Sequence, residues 1–247
     1  MNIGLYQSAS ALSALERWQD VVAQNVTSSQ TTGYRKRTVS FSSQLAGELQ
    51  TDPKGRDVAA MSTVFPKVST GVNFTTGETQ PTKREFDVAI QGDGFFEVQM
   101  PDGARAYTRS GEFNLRADRT LVTGAGQEVL SDGGAPIVLL PTGLPMTINR
   151  DGTIFQGDTQ LGKISVQSFK DPSKLTPVAG GYFLAGAGVE AAQVEKPELM
   201  QGYLEGSNVA PLREMVDMVF ISRAYEANQK IISSFDQTME KTLDALG

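Results

Sequence analysis

Met218, Tyr225, Ile232, Met239 and Leu246 stand seven residues apart, and Ile221, Asn228, Phe235 and Thr242 each follow one of them by three. Alternating steps of three and four mark one face of a long α-helix, and a sustained seven narrows that face to a coiled-coil seam. From Val209 to Leu246 there is no Gly and a single Pro, Pro211. Pro is tolerated in a first helical turn, where its missing N–H has no partner to lose, and Asn208 is a suitable N-cap just before it. Glu226 and Lys230 add a favourable i,i+4 pair. At 1.5 Å per residue such a helix is about 57 Å long. No compact domain built from the rest of this chain covers that length, so the pattern demands partners.

A second helical pattern opens the chain. Leu5, Ala9, Leu12, Leu15, Trp18, Val22 and Val26 recur at three or four. Between the two helices the period changes. Residues after 28 are rich in Ser, Thr, Gln and Gly without a sustained repeat. From about 84 the period is two: Phe86, Val88 and Ile90 alternate with Asp87 and Ala89, and Phe96, Val98 and Met100 alternate with Glu97 and Gln99. Turn residues punctuate these runs at Gly92-Asp93-Gly94 and Pro101-Asp102-Gly103, and then about every ten residues. This spacing predicts a sandwich or barrel-like domain. The expected layout is a helix at 1–28, an extended linker at 29–83, a central all-β domain at 84–203 and a helix at 204–247. The fold class is α+β, with N- and C-terminal helices forming a coiled-coil-like pair and the β domain inserted between them. A plain intramolecular helix bundle stays open from the period alone. The surplus apolar face favours polymerisation.

Composition excludes several functions. The chain has neither Cys nor His, which removes cysteine nucleophiles, disulfides, Cys/His zinc sites and Ser-His-Asp catalysis. Its net charge of −6 argues against nucleic acid, so the cluster Tyr34-Arg35-Lys36-Arg37 reads as solvated or bridging between subunits. No run of about 20 apolar residues is present to span a bilayer. The N-terminus lacks the charged and apolar regions of a secretory signal, so a chain of this kind leaves the cytoplasm only by a dedicated export route, if it leaves at all. Asp87, Glu97 and Glu112 could pair as carboxylates for glycoside hydrolysis, which needs no His or Cys. Their strand-like positions point instead to a solvated face. The alternative of a secreted or periplasmic carbohydrate-active β protein rests on them. No cofactor, metal or small-molecule substrate is expected.

Three blocks carry a resemblance. "SALSALERWQDVVAQNVTSSQTTGYRKR" is similar to the signature A-x-N-L-A-N-x-x-T-x-G-F-[KR], with Asn25, Thr31, Gly33, Tyr34 and Arg35 matching. Val26 stands for the usual Leu and Ser28 for the second Asn. "FDVAIQGDGFFEVQMPDGARAYTRSGEFNLRADRTLVTGAGQEVL" and "LEGSNVAPLREMVDMVFISRAYEANQKIISSFDQTMEKTL" complete the set. Together these blocks resemble the flagellar basal-body rod protein family, and "LEGSNV" leans towards its proximal type, with the distal type next.

The resemblance implies a structural subunit of a periplasmic drive shaft, with no enzymatic activity. Its partners would be copies of itself, other rod subunits and the flagellar export apparatus, through which it would pass without a cleaved signal. The residues expected at the assembly interface are Leu5, Leu12, Val22, Asn25 and Val26 on the first helix, and Gly33 and Tyr34 after it. Asn208 precedes the second helix, which adds Met218, Ile221, Arg223, Tyr225, Ile232, Phe235 and Met239.

Overall fold

The structure is a computed structural model that describes residues 3–49, 61–186 and 188–244, with side chains described at all of these except 3–5, 43–49, 61–66 and 243. The chain forms two units. One gathers residues 1–27, 37–71 and 210–247, and the other residues 28–36 and 72–209.

The first unit holds α1 (Ile3–Thr27), α2 (Pro211–Asp244) and the paired strands β1 (Arg37–Leu49) and β2 (Met61–Val72). β1 and β2 therefore occupy much of the stretch expected as linker. The hydroxyls of Ser40 and Ser69 meet across this pair at 2.7 Å, and the ring of Trp18 on α1 meets Phe41 edge-on at 5.5 Å. α1 buries Ala14, Val21, Val22 and Asn25, and α2 buries Glu214 and Ile221. The helices run antiparallel. Asn25 donates to the Glu214 carboxylate at 2.9 Å, and nine residues back along α1 Glu16 accepts from the Tyr225 hydroxyl at 3.4 Å.

The expected coiled-coil-like pair is not formed. Glu214, Met218, Ile221 and Tyr225 make a short buried or half-buried seam, and Ile232 is half-buried, but Phe235 and Met239 are exposed. A coiled coil needs large knobs on both helices. Residues 7–14 of α1 read QSASALSA and offer one large apolar side chain, Leu12, among Ala and Ser. The heptad on α2 thus lacks its counterpart on α1. α2 starts at Pro211, two residues after the expected Val209, and Asn208 is not its N-cap: the Asn208 side chain bonds elsewhere, as described below.

The second unit is all antiparallel β. It contains β3 (Thr79–Pro81), β4 (Val88–Gln91), β5 (Phe95–Gln99) and β6 (Arg105–Thr108), and then shorter strands. A nine-stranded sheet is centred on β5 and β6, which pair Phe96 with Thr108 and Gln99 with Arg105 across the Pro101–Gly103 turn. The alternating run before Gly92 does not join that hairpin. β4 pairs with Glu198–Gln201, placing Ile90 opposite Leu199. β3 pairs with Tyr203–Glu205, placing Thr79 opposite Glu205. These two ladders bring the end of the unit's sequence back to its beginning.

β5 is covered on both faces. Phe96 and Val98 enter the main core with Val88, Phe113, Leu121, Ile154 and Leu199, while Phe95 joins Tyr107, Phe169, Leu175 and Phe183 in a second cluster. The expectation that Asp87 and Glu97 face solvent is therefore corrected: their relative exposures are 0% and 2%. Alternation marks two faces but does not say that both are covered.

Candidate functional site

Residues 28–36 carry most of the N-terminal signature, and all of them belong to the β unit. Gly33 adopts φ +67°, a left-handed conformation open to Gly at little steric cost. Its N–H donates to the Glu205 carbonyl at 2.7 Å. A Cβ at this position would lie 2.3 Å from the Ser110 nitrogen and 2.4 Å from the Arg109 carbonyl carbon. The backbone approach is thus closed to any other residue. One position earlier, the Thr32 and Ser110 hydroxyls share a hydrogen bond of 2.7 Å.

Arg35 follows with its side chain 2% exposed, and donates through Nη1 to Glu205 Oε1 at 2.6 Å. Arg109, equally buried, donates through Nε to Glu205 Oε2 at 2.6 Å. Gly77 N–H adds a bond to Oε1 at 2.8 Å. The remaining Arg109 donors are used on backbone carbonyls, Nη1 on Gly94 and Nη2 on Ile90 and Gly92. One carboxylate thus holds two guanidiniums, one from the segment after α1 and one just after β6. Burial pushes the Arg35 guanidinium below its ordinary value, against the pull of Glu205.

Asn208 closes the same segment from the other side. Its Oδ1 accepts from Lys36 N–H at 2.6 Å, and its Nδ2 donates to the carbonyls of Asn73 at 2.9 Å and Thr75 at 2.8 Å. The Asn208 N–H donates to the Tyr34 carbonyl at 3.4 Å, and Asn73 N–H to that of Lys36 at 2.8 Å. Tyr34 is buried. The expectation that Arg35 lies in a solvated or bridging cluster is overturned, because its side chain is buried against Glu205 inside the fold.

In the helical unit, Asn25 does the equivalent work. Its Nδ2 donates to the Arg37 carbonyl at 2.8 Å, and its Oδ1 accepts from the Arg37 N–H at 2.9 Å. A side-chain amide here copies a strand's pairing geometry, which Ala cannot do and Asp can do only on the acceptor side. Asn25→Ala is expected to lower the stability of this unit by about 1–3 kcal/mol. Loss of helical circular dichroism at lower denaturant, with the β signal retained, is the measurement that checks it.

Of the other residues expected at an interface, Val22 and Ile221 are buried, whereas Leu12, Val26, Met218, Tyr225 and Ile232 are half-buried. Arg223, Phe235 and Met239 are exposed. Leu5 lies in α1, outside the described side chains. Arg109 and Glu205 were not anticipated. Glu205 stands two residues before the Ser207-Asn208 pair of the C-terminal block, but no periodicity distinguishes it from a surface carboxylate.

Of the carboxylates considered for hydrolysis, Asp87 lies 3.6 Å from Arg84 with both oxygens buried and without a hydrogen-bond partner, and the other two are engaged. Glu97 accepts from Ser165 Oγ at 2.6 Å and from Arg105 at 3.0 Å, and Glu112 lies 3.4 Å from Arg84.

Comparison with known proteins gives this arrangement its context. Residues 89–156 match the family described as "Flagellar hook protein FlgE/F/G D1 domain", and residues 200–245 match "Flagellar basal body rod FlgEFG protein C-terminal". A Caulobacter vibrioides protein named flagellar basal-body rod protein FlgF is 32% identical, covering 100% of this chain and 99% of its own length. A Borreliella burgdorferi protein named flagellar basal-body rod protein FlgG is 34% identical over 95% of each chain. A Mesorhizobium japonicum FlgF is 30% identical over 100% of this chain and 99% of its own. The likeness runs from α1 through the clamped segment and the β unit to α2, and on it the chain belongs to the flagellar basal-body rod protein family.

Proposed function

We propose that this chain polymerises with copies of itself and with neighbouring rod subunits through its terminal helices, forming part of the torque-transmitting shaft. Membership of the family makes it a structural subunit of the basal-body rod, not an enzyme, located in the basal body and assembled with other rod and hook components. One observation carries the finer reading. α2 exposes Leu212, Met215, Val216, Val219 and Phe220 on one stretch and Ile231, Phe235 and Met239 further on, with Leu212 at 78% and Phe220 at 64%. Large apolar side chains concentrated along one helix mark a surface that another molecule covers. The role is mechanical: covered helices carry load along the axis, while the clamped β unit resists deformation.

Full-length alignment with relatives named FlgF supports the proximal type for this chain. Passage to the rod through the flagellar export apparatus accords with that family, as does the polar stretch after α1, which can stay extended during transit and be ordered afterwards. Arg223, Phe235 and Met239 are assigned here to contacts between subunits. Phe235→Asp is expected to leave the β unit's unfolding midpoint unchanged, because the side chain is exposed in the single chain. It is expected to block incorporation into basal bodies, where an unpaired buried charge costs several kcal/mol. Ile232→Asp should act likewise. Normal basal bodies carrying either variant would remove the helices from the interface.

A further inference from the structure

The β unit contains a cavity of about 630 Å³ whose floor includes Arg35 and Arg109. Glu205 is buried behind both, so two guanidiniums share one carboxylate and the floor keeps one positive charge. Arg109 is bonded through all three of its nitrogens, to Glu205 and to three carbonyls. The surplus therefore rests on Arg35, whose Nε is buried and has no hydrogen-bond partner. Asp93 and Lys170, one acidic and one basic and both exposed, also line the cavity. The walls are aromatic: Phe74, Phe95 and Phe169 line the space, with Phe95 and Phe169 5.9 Å apart at their centroids.

We propose that this cavity receives a carboxylate-bearing segment of a neighbouring copy of the chain, its carboxylate pairing with Arg35 and its flanking apolar groups packing on the phenylalanines. The proposal rests on the rod-subunit reading. Charge complementarity selects the occupant. The chain has 28 acidic and 22 basic residues, and Asp102, Asp132 and Asp158 all stand exposed in turns. Copies stacked against one another must match acidic surface with basic, and this floor offers an uncompensated cation in a low-dielectric wall. A volume of this size admits a loop tip with its side chains.

The absence of Cys makes the test direct. Ser168 lines the cavity, and Ser168→Cys places a single thiol there. Maleimide labelling of that thiol is expected to be about tenfold slower in purified basal bodies than in the isolated full-length chain, since the occupant excludes the reagent. A photoreactive maleimide at the same position should cross-link to an acidic segment of a second copy. Lys170→Glu, which places a like charge in the path of the incoming carboxylate, should reduce incorporation about tenfold or more, and Lys170→Gln by less. Equal labelling rates in both states would overturn the proposal. So would a cross-link to a neutral or basic segment or to another protein, or protection by free acetate without any cross-link between subunits. If Ser168→Cys is found in basal bodies with its thiol open, the cavity reading alone fails. If the wild-type chain is missing from basal bodies, the rod-subunit reading fails with it.

Discussion

Glu205→Ala is expected to destabilise the β unit by about 3–5 kcal/mol, because it leaves two buried guanidiniums facing one another without a counter-charge. The opposite change should be milder. Arg35→Met removes the surplus cation, leaves Arg109 and Glu205 as a neutral pair, and retains the Gly77 N–H on the carboxylate. About 1–3 kcal/mol is expected for that variant, mainly from lost packing and one charged hydrogen bond. Glu205→Gln keeps the shape and loses the charge, so it should fall near Glu205→Ala. Urea unfolding of the full-length chain, followed by the β signal, distinguishes these cases. Equal losses for Glu205→Ala and Arg35→Met would show that charge balance is not what holds residues 28–36 in place.

Gly33→Ala is expected to be as damaging, at about 3–5 kcal/mol, for a different reason. The left-handed conformation alone costs an alanine about 1–2 kcal/mol. The added methyl also meets backbone atoms of Arg109 and Ser110 at distances no Cβ tolerates, and overpacking of this kind costs about 1–3 kcal/mol or more. Neither neighbour can retreat. Arg109 is pinned by its ties to Glu205, Gly94, Ile90 and Gly92, and Ser110 N–H is held by the Thr108 hydroxyl at 3.1 Å. Native-state hydrogen exchange should show the amides of 33–36 opening well before the sheet. Gly103→Ala is the control: its φ is +84°, but nothing lies within 4 Å of the new methyl, so the conformational cost alone, about 1–2 kcal/mol, remains. If the two glycines respond alike, the close approach of residues 28–36 to Arg109 is not a constraint.

Both variants act on the stretch where helical periodicity ends and polar residues begin. That stretch is short of apolar side chains, so it cannot be held by burial and is held by directed bonds. Gly33 permits the approach, Arg35 enters the fold, and Asn208 ties the backbone at Lys36.

Repeats of three and four, and of two, are properties of neighbouring residues, which is why the sequence alone determined two terminal helices, the β region between them and the turns at residues such as Gly103. Asn25, Gly33 and Asn208 were singled out by the family motifs that the sequence resembles, not by any periodicity. Only the tertiary structure decided what each face meets. The heptad of α2 does not disclose that α1 has too few large side chains to fill it. The alternation around Asp87 and Glu97 does not disclose that both faces of their strands are covered. The partner of β4 lies more than a hundred residues away in sequence, and Glu205 becomes the counter-ion of Arg35 and Arg109 only after β3 and Tyr203–Glu205 have paired. Local spacing sets conformation, whereas burial and charge pairing depend on which distant segments the folded chain brings together.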